Sequence, residues 1–175
     1  LEQFWSVRQD LEDLALASYF AEVTEATAQE GEAAPELLSL LLNSLYALDT
    51  LKKPRALVKA AFELKLLCLT GYAPMLEGCA VCGAQEPAGA RLHLSQGVLH
   101  CARCRGQVGG GVSMPLSPGA LAGARYIVGC SPKRLFSFAL PEEDLRQLGQ
   151  ATEAFLMTQQ ERGFRTLDYY KRLPR

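Results

Sequence analysis

Apolar residues recur along the first third of the chain with the three-to-four-residue spacing of amphipathic helices. Leu11, Leu14, Leu16, Phe20 and Val23 mark one face of a helix predicted from about Asp10 to Gln29. Gly31 to Ala34 interrupt it. Pro35 suits the first turn of a second helix, where its missing N–H would have no partner anyway. That helix reaches about Leu51, and its Leu38, Leu41, Leu42, Leu45 and Leu48 stripe is widened by Leu37 and Leu40 until little of the circumference is polar. An all-round apolar helix belongs inside a bundle, so this is the predicted central helix. Pro54 opens a third, with Leu57, Val58, Ala61, Phe62, Leu66 and Leu69 on one face and Gly71 as its stop.

From Pro74 to Val112 the helical period is lost. Arg91 to Leu94 and Val98 to Cys101 read as two short strands joined by Ser95, Gln96 and Gly97, a hairpin pattern, and Gly109 to Gly111 read as a flexible exit. Helical spacing returns at about Ser117 to Gly129 and at Pro141 to Arg162. The second of these opens on Glu142, Glu143 and Asp144, which complement the positive end of a helix, and carries Leu145, Leu148, Phe155 and Leu156 as its face. Gly163 ends it, and a short aromatic and basic segment, Phe164 to Leu173, follows. No repeat and no long linker divides the chain. The expected fold is mainly α: one helical bundle over residues 1–175, with an inserted finger at 74–112 that contains a short β-hairpin.

With 49% hydrophobic residues in 175, the chain can bury a core without cross-links. The longest largely apolar stretches, Leu37 to Leu42 and Leu64 to Leu69, fall far short of the ~20 residues that span a bilayer. Acids in Leu1 to Phe20 do not fit a secretory signal, so a cytoplasmic protein is expected. Leu1 is not a methionine, and sequence upstream of it is expected too. Charge is distributed unevenly: residues 1–49 hold ten acids against Arg8 alone, and residues 50–175 hold 17 bases against nine acids. Such asymmetry marks either a surface for nucleic acid or acidic and basic helices paired within one fold. Lys52, Lys53, Arg55 and Lys59 crowd the start of the third helix, where the dipole is positive, and call for a compensating anion. A phosphate backbone or the acidic first helix would supply it.

The strongest chemical signal is a pair of Cys-x-x-Cys motifs, Cys79-Ala-Val-Cys82 and Cys101-Ala-Arg-Cys104, separated by 18 residues. Two intervening residues let both thiolates of a pair face one ion, and two pairs complete a tetrahedron, so one structural zinc ion is expected. Gly83 suits the tight turn after Cys82. Four thiolates leave no open position for a reacting water. A pair of disulfides would need an oxidising compartment, for which the sequence offers no sign. Cys68 and Cys130 lie in apolar helical contexts and read as core thiols, while His93 and His100 flank the finger as substitute ligands that four thiols make unnecessary. Glu142, Glu143 and Asp144 are a helix start rather than a carboxylate pair, and the triple glycine lacks the lysine of a nucleotide loop. A non-enzymatic protein is expected.

A series of segments gives the chain a family resemblance. They are Tyr19-Phe20-Ala21-Glu22, Pro35-Glu36-Leu37, Phe62-Glu63-Leu64-Lys65-Leu66-Leu67, and Gly71-Tyr72-Ala73-Pro74-Met75-Leu76 ahead of Cys79-x-x-Cys82-Gly83, followed by Gly97 before Cys101-x-x-Cys104. In this order, over about residues 10–105, they resemble the C-terminal part of the RecO family of bacterial DNA repair proteins, which are recombination mediators. The resemblance implies a helical bundle bearing a zinc finger. It further implies a nucleoid-associated role in recombinase loading and strand annealing, with single-stranded DNA, double-stranded DNA as a further candidate, single-stranded DNA-binding protein and RecR as partners, and no membrane. The oligonucleotide-binding barrel that precedes the helices in the family is not among these 175 residues.

Candidate phosphate contacts are Lys52, Lys53, Arg55 and Lys59, with Arg103 and Arg105 on the finger and Lys171, Arg172 and Arg175 at the end. For the acidic tail of single-stranded DNA-binding protein, Phe155, Leu156 and Phe164 are the expected pocket, and Arg162, Arg165, Lys171 and Arg172 its rim, because the turn at Gly163 brings them together. Two other classes compete: a zinc-stabilised protein-interaction module, and a GTPase activator resembling the Arf GTPase-activating zinc module. The latter needs an arginine a few residues past its last cysteine, whereas Arg105 follows Cys104 directly and Gly106, Gln107, Val108 and Gly109 come next.

Overall fold

Eleven consecutive residues, Leu57 to Leu67, are buried in one helix, and the rest of the chain is arranged around it. The computed structural model describes residues 4–28 and 34–174. In it α1 spans Trp5–Gln9, α2 Leu11–Thr27, α3 Pro35–Asp49, α4 Arg55–Leu69, α5 Pro118–Gly129, α6 Glu142–Gln160 and α7 Arg165–Arg172. Helix α4 packs against α2, α3, α5 and α6. It is therefore the central helix, and α3 is not. On α3 only Leu37, Leu40, Ser44, Ala47 and Leu48 are buried, while Leu38 and Leu42 are 55% and 44% exposed. The width of an apolar stripe reports which positions tolerate burial. The number of neighbouring helices decides which are buried, and polar side chains are buried where each meets a partner.

For Lys59 and Glu63 those partners are on α2 and α6, and for Lys65 they are at the end of α5. The Glu63 carboxylate, fully buried, accepts hydrogen bonds from the Tyr19 hydroxyl at 2.8 Å and the Thr152 hydroxyl at 2.7 Å, and pairs with Lys59 Nζ at 2.7 Å. Lys59 Nζ also meets Glu153 at 2.7 Å, and Glu153 in turn meets Lys171 at 2.5 Å. Burial raises the Glu63 carboxyl's pKa, against the pull of Lys59, Thr152 and Tyr19. Burial also opposes the charge on Lys59, but Glu63 and Glu153 outweigh it and hold its pKa above the ordinary value. Three donors converging on one carboxylate are the surroundings of an ionised group, so the pair is ionic at neutral pH. Around this network the core is apolar, with Phe20 stacked on Phe62 at 4.2 Å and Phe164 edge-on to Tyr19 at 5.9 Å.

The ends of the helices follow local chemistry. Asp10 caps α2 by accepting from the N–H groups of Glu12 and Asp13 at 2.9 and 3.0 Å. The interruption expected at Gly31 to Ala34 falls mostly outside the described residues, as does Gln29; Pro35 is the first residue of α3. The short α1, which the apolar pattern does not announce, is tied down by buried Val7, whose N–H donates to Asp49 at 3.2 Å. The aromatic and basic segment after Gly163 is the helix α7, with Leu167 and Tyr170 buried.

The finger lies between α4 and α5 and holds a three-stranded antiparallel sheet. Strand β1, Arg91–His93, is central, between β2, Val98–His100, and β3, Ser113–Pro115. Leu92 faces Leu99 across one pairing and Met114 across the other. The third strand goes beyond the expected hairpin, because Ser-Met-Pro carries no strand alternation and its pairing comes from the sheet. Of the triple glycine, Gly111 is needed for a close approach: a Cβ on it, at φ +139°, would lie 2.8 Å from the His93 ring.

Replacing Lys59 by alanine leaves Glu63 charged, buried and short of its cation. The expected loss is about 3–5 kcal/mol of unfolding free energy, measured by urea denaturation at pH 7. A loss under about 1 kcal/mol, the range of an exposed pair, would contradict the ionic reading.

Candidate metal centre and nucleic-acid interface

Two backbone turns present four sulfurs to one point. In the first, Cys79 N–H donates to Ala84 O and Gly83 N–H to Cys79 O, both at 2.8 Å, with Gly83 at φ +73°, where a side chain would be strained. In the second, Cys104 N–H donates to Cys101 O at 3.1 Å within the 3₁₀ turn Ala102–Gln107. Cys101 N–H points at Cys79 Sγ at 3.4 Å and joins the two turns. The four sulfurs lie within 4.8 Å of one another, and Cys82 Sγ to Cys101 Sγ is 3.9 Å. Sulfurs ~2.3 Å from a tetrahedral zinc stand about 3.8 Å apart, so the donor set fits a metal ion of that size and softness.

Electrostatics point the same way. Burial works against the Cys79 thiolate, but N–H groups of Cys82, Cys101 and Val81 outweigh it and bring the pKa down to about 6. Cys104 is pushed up to about 12, first by its bond to Cys101 and then by burial. Packed this closely, the four cannot all ionise unless a cation sits among them. Cys79, Cys101 and Cys104 are buried and Cys82 is exposed. Neither histidine joins the cluster: His100 bonds Ser113 Oγ at 2.9 Å, and His93 Nδ1 faces the N–H of Gln96 at 3.3 Å. Cys68 and Cys130 are half-buried, and burial raises both thiols.

The basic candidates separate into two groups. Arg55 is held by Asp10, Glu12 and Asp13 at 2.7, 3.1 and 2.5 Å, so the acidic helix α2 supplies the anion that the start of α4 needs. Lys59 is 8% exposed and belongs to the Glu63 network, and Lys171 is paired with Glu153. Each of these three already neutralises a carboxylate. Lys52, Arg103, Arg105 and Arg172 are exposed and Lys53 is half-buried; Arg175 lies outside the described residues.

The expected tail pocket is absent. Phe155, Leu156 and Phe164 are 1%, 0% and 1% exposed, because the turn at Gly163 lays α7 against α2 and fills the space with Phe164 itself. Arg162 lies over the Phe164 ring at 5.2 Å, and Arg165 is exposed. An open, mostly apolar cavity of about 190 Å³ exists elsewhere, lined by Pro35, Leu40, Leu69, Pro132 and Leu135 with the polar Glu36, Ser39, Asn43 and Lys65. Lys65 Nζ donates to the carbonyls of Ile127, Val128 and Cys130, a cation at the C-terminus of α5. Sequence spacing alone does not announce this cavity, since its walls come from α3, α4 and the Pro132–Arg134 turn.

A helical bundle with a four-thiol finger inserted between its helices is the class that fold and site define. Within that class, the Recombination protein O C terminal family matches residues 8–168, and the chain belongs to it. The DNA repair protein RecO of Acetivibrio thermocellus is 30% identical over 175 residues, covering 100% of this chain and 69% of that relative. That of Rubrobacter xylanophilus is 34% identical over 152 residues, covering 86% of this chain and 60% of the relative. That of Desulforudis audaxviator is 43% identical over 105 residues, 60% of this chain and 41% of the relative. Among the described residues no helix is long and apolar enough to cross a membrane.

Proposed function

We propose that this chain is the helical, zinc-bearing part of a mediator of DNA repair and recombination, with one structural zinc ion on Cys79, Cys82, Cys101 and Cys104 and no catalytic step of its own. The observation that carries the reading is the family match over residues 8–168 on a chain whose four finger cysteines converge. Single-stranded DNA is the proposed ligand, with double-stranded DNA a weaker one, and RecR and single-stranded DNA-binding protein are the proposed partners in recombinase loading and annealing. Lys52, Lys53, Arg103, Arg105 and Arg172 are the proposed phosphate-binding set. Among the described residues no carboxylate pairs with them, unlike Arg55, Lys59 and Lys171.

For the acidic tail of single-stranded DNA-binding protein, the mostly apolar cavity beside Leu40, Leu69 and Leu135 replaces the pocket expected on α6 and α7. Lys133 and Arg134, exposed in the turn that carries Pro132, supply cations for a terminal carboxylate.

Binding of the chain to a fluorescent oligothymidine is expected to weaken linearly in log[salt]. Changing Arg103 and Arg105 together to alanine should flatten the slope by about 1.4, at ~0.7 per single-strand phosphate contact; an unchanged slope removes the finger from the interface. In a parallel titration, a synthetic acidic peptide ending in an apolar residue should lose about tenfold in affinity when Lys133 and Arg134 are both alanine, the scale of losing charge-assisted bonds. Equal affinity would reject this placement.

A further inference from the structure

One guanidinium outside the finger holds the turn that carries Cys79 and Cys82. Arg125 is the lone charged residue of α5, Pro118–Gly129, an otherwise apolar helix of the bundle. Its Nε donates to Leu76 O at 2.8 Å, one terminal nitrogen donates to Glu77 O at 3.3 Å and Gln85 O at 2.5 Å, and the other meets Glu86 Oε1 at 2.6 Å. The acceptors lie on both sides of the first cysteine pair: Leu76 and Glu77 before Cys79, Gln85 and Glu86 after Cys82. Arg125 thus closes the base of this loop from a separate helix. A planar fork with five N–H donors can span four such acceptors, and a lysine cannot.

Within the loop there is little freedom to compensate. Cys79 N–H is fixed on Ala84 O, Ala80 N–H on Leu99 O, and a Cβ on Gly78 would lie 3.0 Å from Ala84 O. Cys101 N–H reaches Cys79 Sγ at 3.4 Å and Gly83 N–H closes the turn on Cys79 O at 2.8 Å, so the spacing of the loop's two ends sets how the thiols converge. The geometry points to Arg125 as the positioning residue of the metal centre, coupling metal affinity to the packing of α5 in the bundle. By reciprocity, a bound metal steadies the α5 contact by the same factor that Arg125 strengthens metal binding. This inference rests on the four-thiol metal reading.

The test is zinc affinity of the reduced, full 175-residue chain, by competition with a chromophoric chelator, for wild type, Arg125→Ala and Arg125→Lys. Helical circular dichroism reports the bundle, and amide exchange of Gly78 to Ala84 in the metal-free chains reports the loop. Wild type is expected to hold one zinc. Arg125→Ala should bind it at least tenfold more weakly, in the range of altered groups behind metal ligands, with native helical signal and faster loop exchange; Arg125→Lys should fall between. Arg125→Ala within twofold of wild type, or weakened binding without faster loop exchange, overturns the role. Should Arg125→Ala fail to fold, Arg125→Lys decides: affinity equal to wild type overturns it. Wild type binding less than half an equivalent instead overturns the metal reading itself.

Discussion

A carboxylate buried at the centre of a helical bundle must find its hydrogen bonds inside the bundle, and Glu63 finds them on three helices. Tyr19 comes from α2, Lys59 from α4 itself and Thr152 from α6, and Lys59 passes the constraint through Glu153 to Lys171 on α7. An apolar core tolerates sliding of one helix against another by a fraction of a turn. A carboxylate with three directed partners does not, since any slip leaves a buried charge unpaired. The network fixes the mutual register of α2, α4 and α6, and so the position at which α4 ends; Ser117, bonded to Asp144 and Gln147 on α6, then places the start of α5. Those two points are the finger's attachments.

The finger has a small core of its own, and its stability depends on what is fastened to what. Three residues per strand make a marginal sheet. Its inner face is covered by the bundle, with Gly97 packed at the Phe155 ring and Gln159 Nε2 donating to Leu94 O at 2.6 Å. At the other end the thiols converge on one point, and Arg125 ties the loop between them to α5. A metal that joins the two cysteine turns therefore acts on a structure already anchored on both sides. This geometry suits a structural ion: it keeps the exposed Arg103 and Arg105, which flank Cys104, in a fixed place relative to the bundle.

Much of this was legible in the sequence, and what was not has a common cause. Helix positions followed from apolar spacing, since α2, α3, α4, α5 and α6 each carry it, and the convergence of four cysteines followed from two Cys-x-x-Cys pairs. The central helix was misplaced because α3 is richer in leucine, whereas the burial of α4 depends on partners for Lys59, Glu63 and Lys65 that lie up to 94 positions away. Lys59 read as a surface cation for the same reason, since a sequence displays a charge but not the carboxylate that meets it, whereas for Arg55 the acidic first helix was one of the two anions the sequence offered. Phe155, Leu156 and Phe164 read as a pocket because local spacing shows that they lie together, and does not show that Phe164 fills the space. Arg125 did leave a trace, as the one charge in an apolar helix. A lone charge in such a setting needs partners, and the direction to look is the nearest segment rich in unpaired carbonyls, a cysteine turn.

The claim on which the finger's role turns is that Cys79, Cys82, Cys101 and Cys104 together hold one zinc ion. X-ray absorption at the zinc edge of the purified, reduced chain measures this directly. The account predicts a single shell of four sulfurs at about 2.3 Å with no nitrogen or oxygen neighbours. A shell containing a histidine nitrogen or a water oxygen, or no zinc at all, would contradict it.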